Sequence, residues 1–300
     1  FDTNRYPTMN AAELSSCNEF QLLDVRLDED FEAAHLVGAV NNCVFEVAFA
    51  DRLAESAPNR SVLTVVYGED ATSHEAEAAR EKLERAGYRD VRILEGGIEA
   101  AEAAGLEITR GRPASAEPAV PQGVVPLDLK ESLVEWTGRN LLNKHFGTVA
   151  IDSGHLEFAD ARLVAGEFVI DLRQLTCTDL AGTELHDVLI HHLHNEDFFD
   201  VVNHPTARFV ITGTDTVADS TPGAPNLRIE GNLTLRGVTE PIEFLASAGI
   251  TLEGKAAAQT TFSIDRTRWG VLYGSGKFFR RLAGHLVNDH IDFQIRILAG

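Results

Sequence analysis

Cysteine is scarce in this chain. Three thiols, Cys17, Cys43 and Cys177, are spread over 300 residues, which does not make a disulfide framework. Basic residues are also in short supply. Lys and Arg number 26 against 46 Asp and Glu, and the net charge of −20 argues against nucleic acid or an anionic membrane surface as partner. An acidic surface of this kind is read as serving solubility. No apolar run reaches the ~18 residues that a helical membrane span requires, so stable membrane insertion is not expected. The first residues, Phe1-Asp2-Thr3-Asn4-Arg5, hold no basic-then-apolar leader. The expectation is a reducing cytoplasm, or the periplasm if the natural chain begins upstream of Phe1.

What the chain does have is length enough for two domains with proper cores. From residue 8 to 106, short apolar strands alternate with helical patterns, the mark of an α/β unit with a parallel sheet. Asn10 and Glu13 are spaced as a capping box for a first helix. Gln21 to Val25 reads as a buried strand, Asp28 to His35 as a short acidic helix, and Val44 to Ser56 as an amphipathic helix with Val44, Val47, Ala48 and Leu53 at core spacing. Ser61 to Tyr67 is the most continuous β-branched run and should be the central strand. Gly68 to Ala71 then turns, Thr72 and Glu75 cap a helix closed by Gly87, Val91 to Leu94 is the last strand, and Gly96-Gly97 opens a final helix.

That order resembles a rhodanese domain, through Leu23-Asp24-Val25-Arg26, Ala34-His35-Leu36-Val37-Gly38, Val65-Val66-Tyr67, Ala86-Gly87-Tyr88 and Leu94-Glu95-Gly96-Gly97-Ile98. The resemblance implies a catalytic cysteine directly after the Val-Val-Tyr strand, with its persulfide held by successive backbone N–H groups. This chain has Gly68 there, and the loop continues as Glu69, Asp70, Ala71, Thr72 and Ser73. The arginine the family places a few residues later is missing too. Cys17 and Cys43 fall elsewhere in the pattern, and Ser73 with His74 are sequence neighbours that point apart on a helix. No catalytic residue is expected in residues 1–107, which read as a pseudo-enzyme module.

Residues 108–124, with Pro113, Pro118 and Pro121 among Ala, Ser and Gly, read as a semi-stiff linker. From 125 to 300 the pattern becomes all-β. Leu133 to Thr137, Phe146 to Ile151 and Glu167 to Leu172 read as strands. Leu227 to Leu235 alternates strictly, and Ile291, Phe293, Ile295 and Ile297 repeat that alternation at the end. About eight such strands make a sandwich or a closed barrel, whose interior is filled by side chains or holds one ligand. Between them, Leu185, Val188, Leu189, Leu193 and Phe198 follow helical spacing up to Pro205 and suggest a helical lid.

His192-Leu193, Asp197-Phe198-Phe199-Asp200-Val201, His204-Pro205-Thr206-Ala207-Arg208-Phe209, Gly231 to Thr239 and Ile264 to Gly270 together resemble the YceI-like family. The resemblance implies a lipocalin-like antiparallel barrel that holds a polyisoprenoid or similar long apolar chain. It points to Trp136, His192, Phe198, Phe199, Phe209, Arg266 and Trp269 as ligand-binding residues. Lys277 and Arg281 lie in the one basic-aromatic run of an acidic chain, where they would form a mouth for a phosphate or quinone head group. His186, His191, His192 and His194 lack the i, i+4 pairing of a helical zinc site, so no metal and no cofactor are expected. The expected function is sequestration of a long-chain apolar small molecule by a non-enzyme, with a homodimer left open. Two rivals remain: a protein-interaction module with a filled barrel, and an enzyme with residual sulfur-transfer or isoprenoid chemistry.

Overall fold

The structure, a computed structural model, describes residues 6–111, 118–282 and 285–300. The chain forms two compact units, Phe1–Ala116 and Glu117–Gly300.

The first unit runs β1 (Thr8–Met9), α1 (Ala11–Ser16), β2 (Gln21–Asp24), α2 (Asp28–Ala33), β3 (Ala34–Leu36), β4 (Val40–Asn41), α3 (Phe49–Ser56), β5 (Thr64–Tyr67), α4 (Glu75–Arg85), β6 (Val91–Leu94), α5 (Gly97–Ala103) and β7 (Ile108–Arg110). Five strands form a parallel sheet in the order β1-β6-β5-β2-β4. β5 is central and buried on both faces. Val66 packs with Leu23, Phe49, Leu53 and Leu83 on one side, and Val65 and Tyr67 pack with Leu14, Leu94 and Ile98 on the other. The capping box is made: Asn10 Oδ1 accepts from Glu13 N–H and Glu13 Oε2 from Asn10 N–H, both at 2.9 Å.

Three local expectations are corrected. α3 begins at Phe49, and Val47 is fully exposed because the chain before it is a turn that buries Val44 alone. α4 begins at Glu75 rather than after Thr72, whose amide and hydroxyl are both held by Asp70. β6 is not the last strand. β7 pairs antiparallel with β3, and its core contribution, Ile108, is a single apolar residue too slight to read as a strand.

The second unit consists of β8 (Gly123–Pro126), β9 (Leu133–Arg139), β10 (Lys144–Ala159), β11 (Arg162–Asp171), α6 (Glu184–His194), β12 (Thr206–Thr216), β13 (Leu227–Leu235), β14 (Val238–Ile250), β15 (Ala256–Asp265) and β16 (His290–Ala299). Strands β9 to β16 pair antiparallel with their sequence neighbours, and β16 closes onto β9. Closure leaves those eight strands without a free edge. β8 adds beside the second half of β10, which is bent by two bulges. Short turns hold the meander in register. Leu235 pairs directly with Val238, and Arg236 and Gly237 take φ of +53° and +74°, the two-residue turn that suits strand twist.

α6 covers one end of the barrel through Leu189, Ile190 and Leu193, whereas Leu185 and Val188 are exposed. The expected stripe was broader because helical spacing alone cannot show that contact is confined to the C-terminal half. The stretch read as a linker carries β7 and the start of β8 at its two ends, and Val120 packs on the barrel core. Pro113 lies outside the described residues. No helix among the described residues is long and apolar enough to cross a membrane.

Candidate ligand cavity and the degenerate loop

Alternation along eight strands sends every second side chain inward, and these do not fill the interior. A cavity of about 520 Å³ remains, within the range of small-molecule sites. Its waist is a belt of phenylalanine rings stepping from strand to strand. Phe168 and Phe209 lie 6.1 Å apart, Phe209 and Phe244 5.7 Å, Phe244 and Phe262 4.3 Å, and Phe262 and Phe293 5.7 Å. Phe293 is in register with Trp136, which continues the belt onto β9. Phe209 and Phe244 meet across β13 because Gly231 lies between them with no side chain. A Cβ there would strike the Phe209 ring and sit 2.6 Å from the Val210 carbonyl oxygen. Gly231 is therefore not an empty stretch of tunnel wall, and a bulky residue there would push the belt apart rather than narrow the cavity.

Of the residues singled out in the sequence, Trp136, Phe198, Phe199, Phe209 and Arg266 line this cavity. Trp136 is fixed by its Nε1–H, which donates to the Thr176 carbonyl at 3.0 Å. Phe198 and Phe199 pack edge to face at 5.0 Å under the lid. Arg266 is fully buried. Its guanidinium donates to the carbonyls of Val271, Tyr273, Val287 and Asn288, and lies 5.3 Å from the Phe198 ring. Burial works against its charge, and Asp289 and Asp265 work for it. Arg266 is thus a clamp on the segment that follows β15, with one face on the cavity.

The other four lie off the cavity wall. Trp269 is wholly buried behind it, donating from Nε1 to Leu233 O at 2.8 Å. His192 packs edge-on to Tyr273 and Phe198 at 4.4 and 5.6 Å, and burial pushes its pKa down. Lys277 is drawn to Asp265 at 2.6 Å and Asp289 at 3.3 Å, and Arg281 is exposed. Of the exposed cavity-lining residues, Ala161, Arg162, Asp215 and Thr216 belong to the end of the barrel away from α6, where small residues such as Ala248, Gly249 and Ala258 widen the rim, while Asn288 and His290 lie at the α6 end. Lys277, paired with Asp265 and Asp289, and the exposed Arg281 therefore stand off the cavity wall rather than on it.

Sequence reading missed the ring belt at Phe168, Phe244, Phe262 and Phe293. Each does sit in a period-two pattern, but only closure of the barrel brings rings from five strands together.

In the first unit, the loop after β5 is filled by its own carboxylates. Glu75 Oε1 accepts from Glu69 N–H at 2.9 Å, and a Cβ on Gly68 would lie 2.7 Å from the Glu75 carboxyl carbon. Asp70 Oδ1 accepts from the amides of Thr72 and Ser73 at 2.6 and 2.9 Å. These bonds, led by the Thr72 hydroxyl, hold its pKa below the usual carboxylate range. Ser73 Oγ accepts from Asp70 N–H at 3.3 Å. Glu69 pairs with Arg26 at 2.6 Å, and Arg26 in turn clamps the buried Asp24. Ala71 contributes no side-chain hydrogen bond. The amides of Glu69, Asp70, Thr72 and Ser73, which could otherwise turn to an anion, are thus already paired.

A model of the YceI-like domain matches residues 126–299, and one of the Rhodanese-like domain matches residues 10–104. Two curated UPF0312 proteins, from two strains of Pseudomonas putida, are 29% identical over 101 residues, 34% of this chain and 47% of theirs. The chain thus spans about half the length of the curated relatives it matches. Among solved structures, BcnA of Burkholderia cenocepacia is 18% identical, with 58% of this chain and 99% of that one covered and a TM-score of 0.46. A polyisoprenoid binding domain from Saccharophagus degradans is 15% identical, with coverages of 60% and 98% and a TM-score of 0.42. The Alr3790 protein from Anabaena sp. is 29% identical, with coverages of 34% and 92% and a TM-score of 0.31. With more than half its length matched by the one family model, the chain belongs to the YceI-like family and carries a rhodanese-like domain ahead of the barrel.

Proposed function

We propose that the barrel binds one elongated apolar molecule, a polyisoprenoid, quinone or similar lipid, and that the rhodanese-like unit carries no sulfur-transfer chemistry. The observation that carries this reading is the apolar cavity of about 520 Å³ running from the lid to the opposite rim. A tail that buries on the order of 400 Å² there contributes roughly 10 kcal/mol before association costs of several kcal/mol. That supports affinity without chemistry at the site. The tail lies against the phenylalanine belt with its end under Phe198 and Phe199. The polar head sits at the rim, where Arg162, Asp215 and Thr216 meet water. Space left among the rings favours a ligand over a packed interior, and so a carrier over a purely structural barrel.

Native mass spectrometry of the protein from its own source, with titration of a fluorescent isoprenoid analogue, tests the reading. A lipid adduct and saturable binding are expected. Ala258 is on the cavity wall at the wide end. Ala258→Phe should weaken uptake at least tenfold while the melting temperature stays near that of the parent. No adduct and no binding in the parent, with a large fall in melting temperature for Ala258→Phe, would mean a filled barrel.

A further inference from the structure

The chain between β11 and α6 lies along β10 as if it were another strand. Thr176 N–H donates to Thr148 O at 2.8 Å and Thr178 N–H to Phe146 O at 2.7 Å, while Phe146 N–H donates to the Asp179 carboxylate at 2.9 Å. Gly147 makes the approach close enough, since a Cβ there would run into Thr176 O and lie 2.9 Å from Cys177 Cα. Extended backbone puts residues i and i+2 on one side, so Cys177 and Asp179 both turn toward His145 on β10. His145 Nδ1 lies 2.9 Å from Asp179 Oδ2, and Cys177 Sγ donates to Asp179 Oδ1 at 3.2 Å. Nitrogen, sulfur and oxygen all lie within 4.8 Å of one another, the one such convergence among the described residues.

We propose that His145, Cys177 and Asp179 form a binding site for Zn²⁺, with water as the fourth ligand. Imidazole, thiolate and carboxylate are the donors this ion takes, and the sulfur excludes Mg²⁺ and Ca²⁺ as the natural occupant. Ligand atoms around tetrahedral zinc stand about 3.3–3.8 Å apart, so the His145–Asp179 and Cys177–Asp179 separations of 2.9 and 3.2 Å need to open only slightly. Cys177 is 1% exposed, while the His145 and Asp179 side chains are partly open to solvent, which leaves a path for the ion and its water. Without a cation, burial and then the Asp179 contact push the Cys177 thiol up to about 11, so it stays protonated and inert. Zinc takes the sulfur as thiolate and the thiol proton leaves to solvent. The imidazole must then carry its proton on Nε2, freeing Nδ1 for the metal. Thr176, next to Cys177 in the chain, accepts from Trp136 Nε1–H on the cavity wall at 3.0 Å.

Cobalt(II) serves as the probe, added to the reduced full-length protein. The expected result is a thiolate-to-cobalt charge-transfer band in the near ultraviolet with intense visible bands of four-coordinate cobalt. Both should saturate at one equivalent and disappear when Zn²⁺ is added. Cys177→Ser should lose the charge-transfer band. No band in the parent protein, or the same band in Cys177→Ser, would overturn the proposal, the second result placing the metal on Cys17 or Cys43. If Cys177→Ser does not fold, His145→Gln and Asp179→Asn alter partly exposed side chains and keep the test open. Each should weaken Zn²⁺ affinity about tenfold or more by competition with a chromophoric chelator, and unchanged affinity in both would overturn the site.

Discussion

Gly68 lies beneath the Glu75 carboxylate, directly before Glu69 and two residues before Asp70. Any thiol placed there would face negative charge where a sulfurtransferase offers free amides. A nearby carboxylate disfavours the thiolate and so raises its pKa. We therefore expect Gly68→Cys to show no more thiosulfate:cyanide sulfurtransferase activity than the parent, and its thiol to titrate above the ~8.5 of free cysteine. Glu75→Ala in that background should bring the titration down by releasing the Glu69 amide. The pH dependence of alkylation rate measures both, and a Gly68→Cys thiol that titrates below ~8.5 would show the cradle still works. At this scale the sequence was informative about chemistry and silent about accommodation. The missing nucleophile and the acidic neighbours are plain in Gly68-Glu69-Asp70. That Glu75 folds back onto the amide of Glu69 follows only from where α4 begins.

Elements whose pattern is set by a single neighbour were the legible ones. Leu227 to Leu235 alternates strictly and forms β13 with those bounds, because both faces of a barrel strand impose period two throughout. Elements whose faces depend on distant packing were not. The lid turns Leu189, Ile190 and Leu193 inward instead of Leu185 and Val188. Val44 and Val47 share helical spacing without sharing a helix. The lid is tied down by Arg236, whose guanidinium donates to Phe198 O and Gly270 O at 3.1 and 3.0 Å and to Glu196 O at 2.7 Å. Arg236→Asn keeps a residue that tolerates positive φ and removes those bonds. It should cost about 1–3 kcal/mol of stability in urea unfolding. Release of a bound fluorescent analogue should stay close to the parent rate, because the wide rim with Ala161, Arg162, Asp215 and Thr216 lies at the other end. Release several-fold faster in stopped-flow chase would make the lid the gate.

Across the whole molecule, two separate cores and a proline-bearing connection imply two independent folding units. The structure refines where they can be cut. Leu106 and Ile108 pack on the core of the first unit, and β7 is held to β3 by backbone bonds that include Val37 N–H to Glu107 O at 3.0 Å and Gly111 N–H to Ala33 O at 3.1 Å. A fragment ending at Gly105 forfeits all of this. Losing two such side chains from a core costs roughly 3–5 kcal/mol, a large share of a small domain's stability. The fragment 1–105 should therefore be largely unfolded or unfold at much lower urea, whereas 1–111 should unfold cooperatively. On the other side, Val120 packs against the barrel core, so 117–300 should be the better barrel fragment and 123–300 slightly weaker. Circular dichroism should find 117–300 rich in β-structure, with the same urea midpoint as the barrel transition of the full chain. A barrel fragment that is insoluble, or that reaches this midpoint only when residues 1–111 are added, would show that the two units share a core.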